Sequence, residues 1–372
     1  MKIAETAPTV SAFVQRRKLI KASFFQVFFH HTAAVFSRRF AAKTWHGLRL
    51  MAIDGTGLRI PDEWGLGEHF GWHQNQHRDV PSTRWLVCLD LLNHLLDEVE
   101  LHPRSQDEKS LAAPLVARWS PSTLCIYDRG FGSYAFPWLH QHHGSHCLIR
   151  LKTTFSPIVI DFLAAGHAEQ IVHTPLSERA VRSLRKMGYE VNRTPELTYR
   201  LIRVELPTGE TEVLMTTLLD TQAFPRKYFG QLYSLRWGVE SAIFVLKSFF
   251  QAAVFSAYSL PAVEQDLWAL FALYNIQSMC LRAKEKALAK INSLRHFTYP
   301  INRNVGIGLI KRFAPPLFLD EVKQWIARIP VLLDELIRHL QPQRPRPSRP
   351  RIRRLLRGTE RHRFEFNDKS RL

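Results

Sequence analysis

Four side chains in the stretch QLYSLRWGVESAIFVLK have the types and spacing to act together on an anionic substrate. They are the phenol of Tyr233, the guanidinium of Arg236, the carboxylate of Glu240 and the ammonium of Lys247. A regular helix turns by about 100° per residue, which would place all four in a stripe about 60° wide. Apolar residues fill the adjacent arc, so the stripe would border the buried face, as at the edge of a cleft. The alternative is a solvated helix with an Arg-Glu ion pair, which stabilises by only a few tenths of a kcal/mol.

Two aspartates elsewhere in the chain follow short apolar runs. LRLMAIDG leads into Asp54, and TLCIYDRG leads into Asp128. Each run predicts a buried strand that ends in a turn, with the aspartate at the strand end. A carboxylate in that position often caps the turn, and the sequence of residues 128–130 suits this role well.

A different use of the two aspartates involves the helical glutamate. Asp54, Asp128 and Glu240 together supply three hard oxygen ligands for Mg²⁺. Two Mg²⁺ ions about 4 Å apart can activate a water and stabilise the leaving oxygen of a phosphodiester. Arg236 and Lys247 would then contact the flanking phosphates of DNA. The spacing alone leaves both this interpretation and the surface ion pair open.

The charge of the chain favours a polyanionic partner. Its 372 residues include 51 Lys and Arg against 33 Asp and Glu, a net charge of +18, and the pI is near 10.1. Nucleic acid is the first candidate and an anionic membrane surface is the second. The remaining possibility is a basic protein whose charge serves solubility. The hydrophobic fraction of 45 % provides for a folded core.

Cysteine usage and the termini bear on location. None of the four cysteines forms a C-x-x-C pair, and Cys88, Cys125 and Cys147 lie in apolar runs, which favours buried reduced thiols. The first residues lack the pattern of a secretory signal, and no run of about eighteen apolar residues is present. We therefore expect a cytoplasmic protein with no membrane segment.

The order of predicted elements indicates the α/β class with a mixed sheet. Three strands are followed by a helix, a strand, a second helix and a strand; Ser105 is expected to open the first helix, with Glu108 as its capping-box partner. A hairpin then marks a β-rich segment that we expect to be an insertion outside the sheet. The predicted segments are a basic helical N-terminal region (1–47), a first part of the catalytic domain (48–152), the β-rich insertion (153–223), a second part of the catalytic domain that carries Glu240 (224–290), a helical C-terminal region (291–340) and a basic Arg/Pro-rich tail (341–372).

The helical motif, read as Y-x2-R-x3-E-x6-K, is reproduced in full. With the stretches IDGTGLRIPD, YDRGFGSYAF and LMTTLLD, in the same order, it resembles the DDE transposases of bacterial insertion sequences, in the insertion-sequence-four family. The resemblance covers about residues 48 to 290. It implies an RNase H-like mixed sheet, a β-rich insertion between the second aspartate and the glutamate, and helical flanking regions.

The resemblance also implies roles for individual residues. Asp54, Asp128 and Glu240 would be the catalytic metal ligands, with Asp54 bridging two Mg²⁺ ions and Mn²⁺ able to substitute. The side chains of Tyr233, Arg236 and Lys247 would hold phosphates and terminal bases of the element's DNA end. Next to them, Trp237 could stack on a displaced base or belong to the core.

The function implied is transposition by DNA cleavage and strand transfer. The enzyme would hydrolyse one strand at a terminal inverted repeat, and the 3′-OH would attack the opposite strand or a target DNA. We expect a homodimer on paired DNA ends, in the bacterial cytoplasm and associated with the nucleoid when bound to DNA.

Two other functions use the same fold. One is an inactive or truncated transposase copy that only binds DNA, since only 47 residues precede the first predicted strand and part of end recognition lies upstream in this family. The other is a nuclease that cuts without regard to the repeats. A separate metal site on His69, His73 and His77 is a minor alternative, because Gly and Asn interrupt any regular helix there.

Overall fold

A computed structural model describes residues 9–63, 65–73, 79–191, 195–319 and 322–343. Within these ranges nine strands form one mixed sheet. The strands are β1 (Arg49–Arg59), β2 (Trp72–His73), β3 (Val80–Asp90), β4 (Leu95–Pro103), β5 (Thr123–Tyr127), β6 (His146–Leu151), β7 (Glu169–Pro175), β8 (Glu196–Glu205) and β9 (Thr211–Thr216).

Helices flank the sheet on both faces. They are α1 (Val10–Arg17), α2 (Ala22–Arg39), α3 (Leu66–Phe70), α4 (Glu108–Val116), α5 (Ala135–His143), α6 (Pro157–Ala164), α7 (Glu178–Lys186), α8 (Phe229–Ser234), α9 (Trp237–Phe244), α10 (Leu260–Ala283), α11 (Glu285–Asn292), α12 (Arg303–Leu319) and α13 (Val322–Arg338). The tail beyond residue 343 lies outside the described residues.

Five strands form the centre of the sheet, in the order β4-β3-β1-β5-β6. The β1, β3 and β4 strands pair as an antiparallel meander, whereas β5 and β6 run parallel to β1. A meander of three strands continued by two parallel strands is the arrangement of an RNase H-like sheet, so the predicted α/β fold class is confirmed.

The alternation of side chains along β1 separates two cores. Leu50 and Ala52 belong to a core shared with α9 and α10, while Met51 and Ile53 belong to a core on the opposite face, shared with α4 and α5. Because successive residues of a strand face opposite sides, Asp54 follows Leu50 and Ala52 onto the face that α9 covers.

The segment from residue 153 to residue 223 was expected to lie outside the sheet, and this expectation is wrong. Strand β9 pairs antiparallel with β6, and β8 and β7 follow in turn. The three strands therefore extend the central sheet beyond β6. The pairing joins residues far apart in sequence, and β6 has a free edge for β9 because its other edge is filled by β5.

The basic N-terminal helices pack on the body of the protein. Helix α2 lies along α10 and also reaches β4, while Arg17 forms an ion pair of 2.8 Å with Asp266 at the start of α10. Among the described residues no helix is both long and apolar enough to span a bilayer. All four cysteines are free thiols, and those in the apolar runs are buried, as expected.

Candidate active site

Asp54 lies in the middle of β1 rather than at its end. The predicted turn at Gly55 is wrong, because β1 continues in register with β3 to Arg59. The glycine has another purpose: a Cβ at position 55 would lie 2.4 Å from the Glu108 side chain, so any larger residue would have to displace that carboxylate. The first aspartate is thus held on a continuous, buried strand.

Asp128 follows directly after β5, as predicted. β5 pairs in parallel with β1, with Ala52 opposite Ile126. Two further residues along each strand bring Asp54 and Asp128 to the same level, because the two strands run in parallel register. Asp128 also accepts a hydrogen bond of 2.9 Å from the backbone N–H of Gly130, so the turn-capping role expected of this residue is present as well.

The helix that carries the four-residue motif is not a regular helix. Around Leu235 and Arg236 the backbone N–H groups bond to carbonyls three residues earlier, which tightens the turn between α8 and α9. After α9 the chain widens into a π-helical turn at Val245–Phe249. A stripe computed for one regular helix therefore does not describe this segment, and each side chain takes its position from the local turn.

Helix α9 brings Glu240 toward the two aspartates by packing on β1 and β3. Gly238 faces the end of β3, and a Cβ there would lie 3.0 Å from the side chain of Leu91. The absence of a side chain lets the first turn of α9 lie close to the sheet. Glu240, two residues later, is half-buried at the rim.

Arg236 is the centre of the motif's contacts. Its Nη2 lies 2.7 Å from Oε1 of Glu240, and its guanidinium lies 4.9 Å from the Trp237 ring centre and 5.9 Å from that of Tyr233. Only 6 % of Arg236 and 5 % of Tyr233 are exposed, whereas Trp237 is 54 % exposed. The ion pair between Arg236 and Glu240 that the solvated-helix alternative predicted is present, but the arginine is buried rather than solvated.

Lys247 connects the π-helical turn to β1. Its Nζ donates hydrogen bonds of 2.5 Å to Oγ1 of Thr56 and 2.7 Å to the carbonyl oxygen of Gly57. Burial, and secondarily the charge of Arg104, lower the pKa of Lys247, while Asp54 opposes that shift. Lys247 thus contacts β1 at Thr56 and Gly57, two and three residues beyond Asp54.

The electrostatics of Asp54 show how closely the acidic groups surround it. Burial, followed by the charges of Asp128 and Glu240, raises its pKa to about 7, and the charge of Arg236 opposes this rise. Repulsion of this kind is typical of carboxylates that share one site. The sheet and α9 therefore bring Asp54, Asp128 and Glu240 into one electrostatically coupled group.

The donor set suits a hard divalent cation by its chemistry, since carboxylate oxygens are the ligands that Mg²⁺ prefers. As the side chains stand, no three His, Cys, Asp or Glu residues within the described ranges converge tightly enough to hold a metal ion. Glu240 is instead paired with Arg236. The residues fit a divalent cation because they supply carboxylate oxygens. The carboxylates also repel one another, and a bound cation would relieve that repulsion.

A fourth carboxylate, Glu108, was missed as part of the site. It was expected to be the capping-box partner of Ser105, but Asp107 is the N-cap of α4 and accepts from the Ser110 N–H. Glu108 instead covers Gly55 and forms an ion pair of 2.5 Å with Arg84 on β3. The glycine after Asp54, inside a strand-like run, is the signal that could have indicated a close neighbour.

The proposed histidine metal site can be followed only in part. His69 is in α3 and His73 is in β2, while His77 lies outside the described residues. The chain leaves helix α3 at Gly71, so His69 and His73 do not share a helix face.

Comparisons with known proteins identify a family and relatives of this chain. The family model of the transposase DDE domain matches residues 45–276. The chain is 27 % identical over 272 residues to the transposase InsG for insertion sequence element IS4 of Escherichia coli (strain K12), which covers 72 % of this chain and 60 % of that protein. It is 30 % identical over 127 residues to the putative transposase InsZ of the same strain, covering 33 % of this chain and 42 % of InsZ.

The chain thus spans about 60 % of the length of the first of these relatives. Among solved structures, the cryo-EM structure of the piggyBac transposase synaptic complex with hairpin DNA covers 81 % of this chain and 59 % of its own, at 9 % identity and a TM-score of 0.39.

Proposed function

Because the chain belongs to the transposase DDE domain family, among the DDE transposases of insertion sequences, we propose that it cleaves DNA at the terminal inverted repeats of its element and transfers the strand end to another site. Asp54, Asp128 and Glu240 are the proposed catalytic residues. The partners would be the double-stranded ends, a target DNA and a second copy of the chain on paired ends.

One observation supports this function most directly. Two aspartates on neighbouring parallel strands stand at the same level, and the charges of Asp128 and Glu240 both act on Asp54, whose pKa lies at about 7. Keeping several carboxylates together in a half-buried site costs free energy. A function that needs concentrated negative charge, such as binding of divalent cations, explains why the fold maintains it.

Asp54, Asp128 and Glu240 would hold the proposed Mg²⁺ ions, with Mn²⁺ as a substitute. Bound divalent cations would supply the positive charge that activates a water and stabilises the leaving oxygen of the phosphodiester. The protein side chains would position the scissile strand, and this orientation is itself a large part of catalysis.

The motif residues would contact the DNA in unequal ways. The exposed ring of Trp237 is available for stacking on a base. Arg236 would contact a phosphate through its guanidinium, whose buried Nε has no hydrogen-bond partner within the described ranges. Tyr233 is buried and would act by holding the guanidinium in place. Lys247 would bring a positive charge next to the strand of Asp54.

An in vitro reaction separates this function from its rivals. The purified protein is mixed with labelled DNA that carries the inverted repeats flanking its gene, a target plasmid and Mg²⁺. Transposition predicts nicks at the repeat ends, 3′-OH products and joined plasmid. An inactive copy would bind the repeats but leave them uncut in Mg²⁺ and in Mn²⁺, and a nuclease would cut an unrelated duplex equally well.

A further inference from the structure

A cavity of about 890 Å³ opens on the Asp128 side of the carboxylates. One wall comes from the centre of the sheet and α4, with Lys109 and Arg129, and the other comes from the insertion, with Arg179 at the start of α7. Lys152, just after β6, lies between them. Four cations from four separate segments therefore surround one concave space.

The four cavity cations form no ion pairs within the described residues, although the charges of Asp107 and Asp128 act on Lys109. Arginines elsewhere in the fold, such as Arg49, Arg84 and Arg150, are ion-paired with carboxylates. Within the described residues, no ion pair or side-chain hydrogen bond is formed by any of the four cavity cations, which are Lys109, Arg129, Lys152 and Arg179. Unpaired cations that repel one another across a cavity favour an anion between them.

A second, independent feature of the cavity is an unsatisfied hydroxyl. Ser133 lines it, and its buried Oγ has no hydrogen-bond partner within the described ranges. Buried polar atoms are almost always paired. An oxygen acceptor in the cavity would satisfy the Ser133 hydroxyl and the surrounding cations together.

Asp128 also lines the cavity, so an anion bound there would lie beside a proposed catalytic carboxylate. Most side chains of the wall are charged or carry hydroxyls, whereas pockets for small organic ligands are mainly apolar. The cavity is also far larger than one isolated phosphate requires. A polymer of phosphates fits these features best.

We propose that this cavity binds the phosphate backbone of a DNA strand, with Arg179 of the insertion and Lys109 of the catalytic half on opposite sides of it. The inference rests on the proposed function and deepens it. Glu240 and Trp237 line a different cavity, of about 340 Å³. DNA would therefore approach the carboxylates from two sides, and the insertion would contribute directly to DNA binding.

The test measures DNA binding without cleavage, in buffer free of divalent cations. Affinities of the full chain for two fluorescein-labelled duplexes, one with the inverted repeat and one unrelated, are measured by anisotropy over a range of salt concentrations. The variant is Arg179→Ala combined with Lys152→Ala. Its matched control is Arg182→Ala, on the same helix but outside the cavity and paired with Glu178.

Loss of two phosphate contacts should reduce the slope of log K against log salt by about 1.4 to 1.8, and the control should leave it unchanged. Ser133→Ala should weaken binding without changing the slope, since it removes a neutral donor. If the slope changes for the repeat duplex alone, the DNA strand in the cavity is the end of the element. A change that appears only when a preformed complex with repeat DNA captures the unrelated duplex identifies it as target.

The inference would be overturned if the double variant had the same slope of log K against log salt as the parent for both duplexes and for the preformed complex. This holds provided that the variant and the parent have the same melting temperature. Arg179→Gln, which keeps a polar side chain, repeats the measurement if the double variant is unstable. The proposed function is judged separately, by cleavage of repeat DNA in Mg²⁺ by the parent protein. If the parent cleaves repeat DNA but the double variant has an unchanged salt slope, this inference fails while the proposed function stands.

Discussion

The Nη2 atom of Arg236 lies 2.7 Å from Oε1 of Glu240, so a buried guanidinium holds one of the proposed metal ligands. Arg236 is also the cation that offsets the acidic group around Asp54. Arg236→Ala should lower the free energy of unfolding of the metal-free protein by about 1–3 kcal/mol. Mn²⁺ should then raise the melting temperature of the variant more than that of the parent, because more repulsion remains to be relieved.

Differential scanning fluorimetry with and without Mn²⁺ measures both effects. Arg203→Ala is the matched control, since Arg203 pairs with Glu205 on an exposed part of β8. An equal or smaller shift on adding Mn²⁺ to the Arg236 variant would show that Arg236 does not compensate the carboxylates.

Lys247 is expected to hold the π-helical turn against β1. Lys247→Met keeps most of the apolar stem but removes the hydrogen bonds to Thr56 and Gly57. The loss should destabilise the protein by about 1–3 kcal/mol, because these bonds involve a charged donor. Urea unfolding measures this, with the exposed Lys290→Met as control. A stability equal to that of the control variant would contradict a positioning role.

Gly55 and Glu108 should be coupled in stability. Gly55→Ala places a methyl group 2.4 Å from a carboxylate that Arg84 restrains, so we expect a loss of about 1–3 kcal/mol. The double variant Gly55→Ala with Glu108→Ala should recover most of that loss, because the clash is removed. A double-mutant cycle measured by urea unfolding tests this coupling. Additive losses would mean that glycine is needed for another reason.

The pH dependence of stability should carry the signature of Asp54. Its pKa is 3.8 in the unfolded reference and about 7 in the fold. The neutral acid therefore favours the folded state fully below 3.8, and that contribution is lost as the pH rises through about 7. Asp54→Asn stays neutral, so its advantage in stability over the parent should grow across this interval and then level off, at no more than about 4 kcal/mol.

Urea unfolding in EDTA, from about pH 4 to about pH 8, measures this difference. Asp161→Asn, at an exposed position of α6, is the control for the change of Asp to Asn itself. A constant offset between Asp54→Asn and the parent at every pH would contradict the raised pKa.

The sequence was sufficient where local pattern decides structure. Apolar runs predicted the central strands, and the turn residues after Tyr127 predicted the position of Asp128. It was insufficient where distant groups decide. The continuation of β1 through Gly55 depends on its pairing with β3, and the pairing of β9 with β6 depends on which strand edge is free. The tight and π-helical turns around α9 are departures that a fixed period of 3.6 residues does not represent.

The most direct test of the central claim compares cleavage with binding in the carboxylate variants. Glu240→Gln, Asp54→Asn and Asp128→Asn keep side-chain shape, and repeat DNA labelled at one end reports single-turnover cleavage in Mg²⁺. We predict that each variant binds this DNA like the parent but cleaves it at least about a thousand-fold more slowly, because each loses a metal ligand. Cleavage by Glu240→Gln at the parent rate would contradict the assignment of the three carboxylates to one catalytic site.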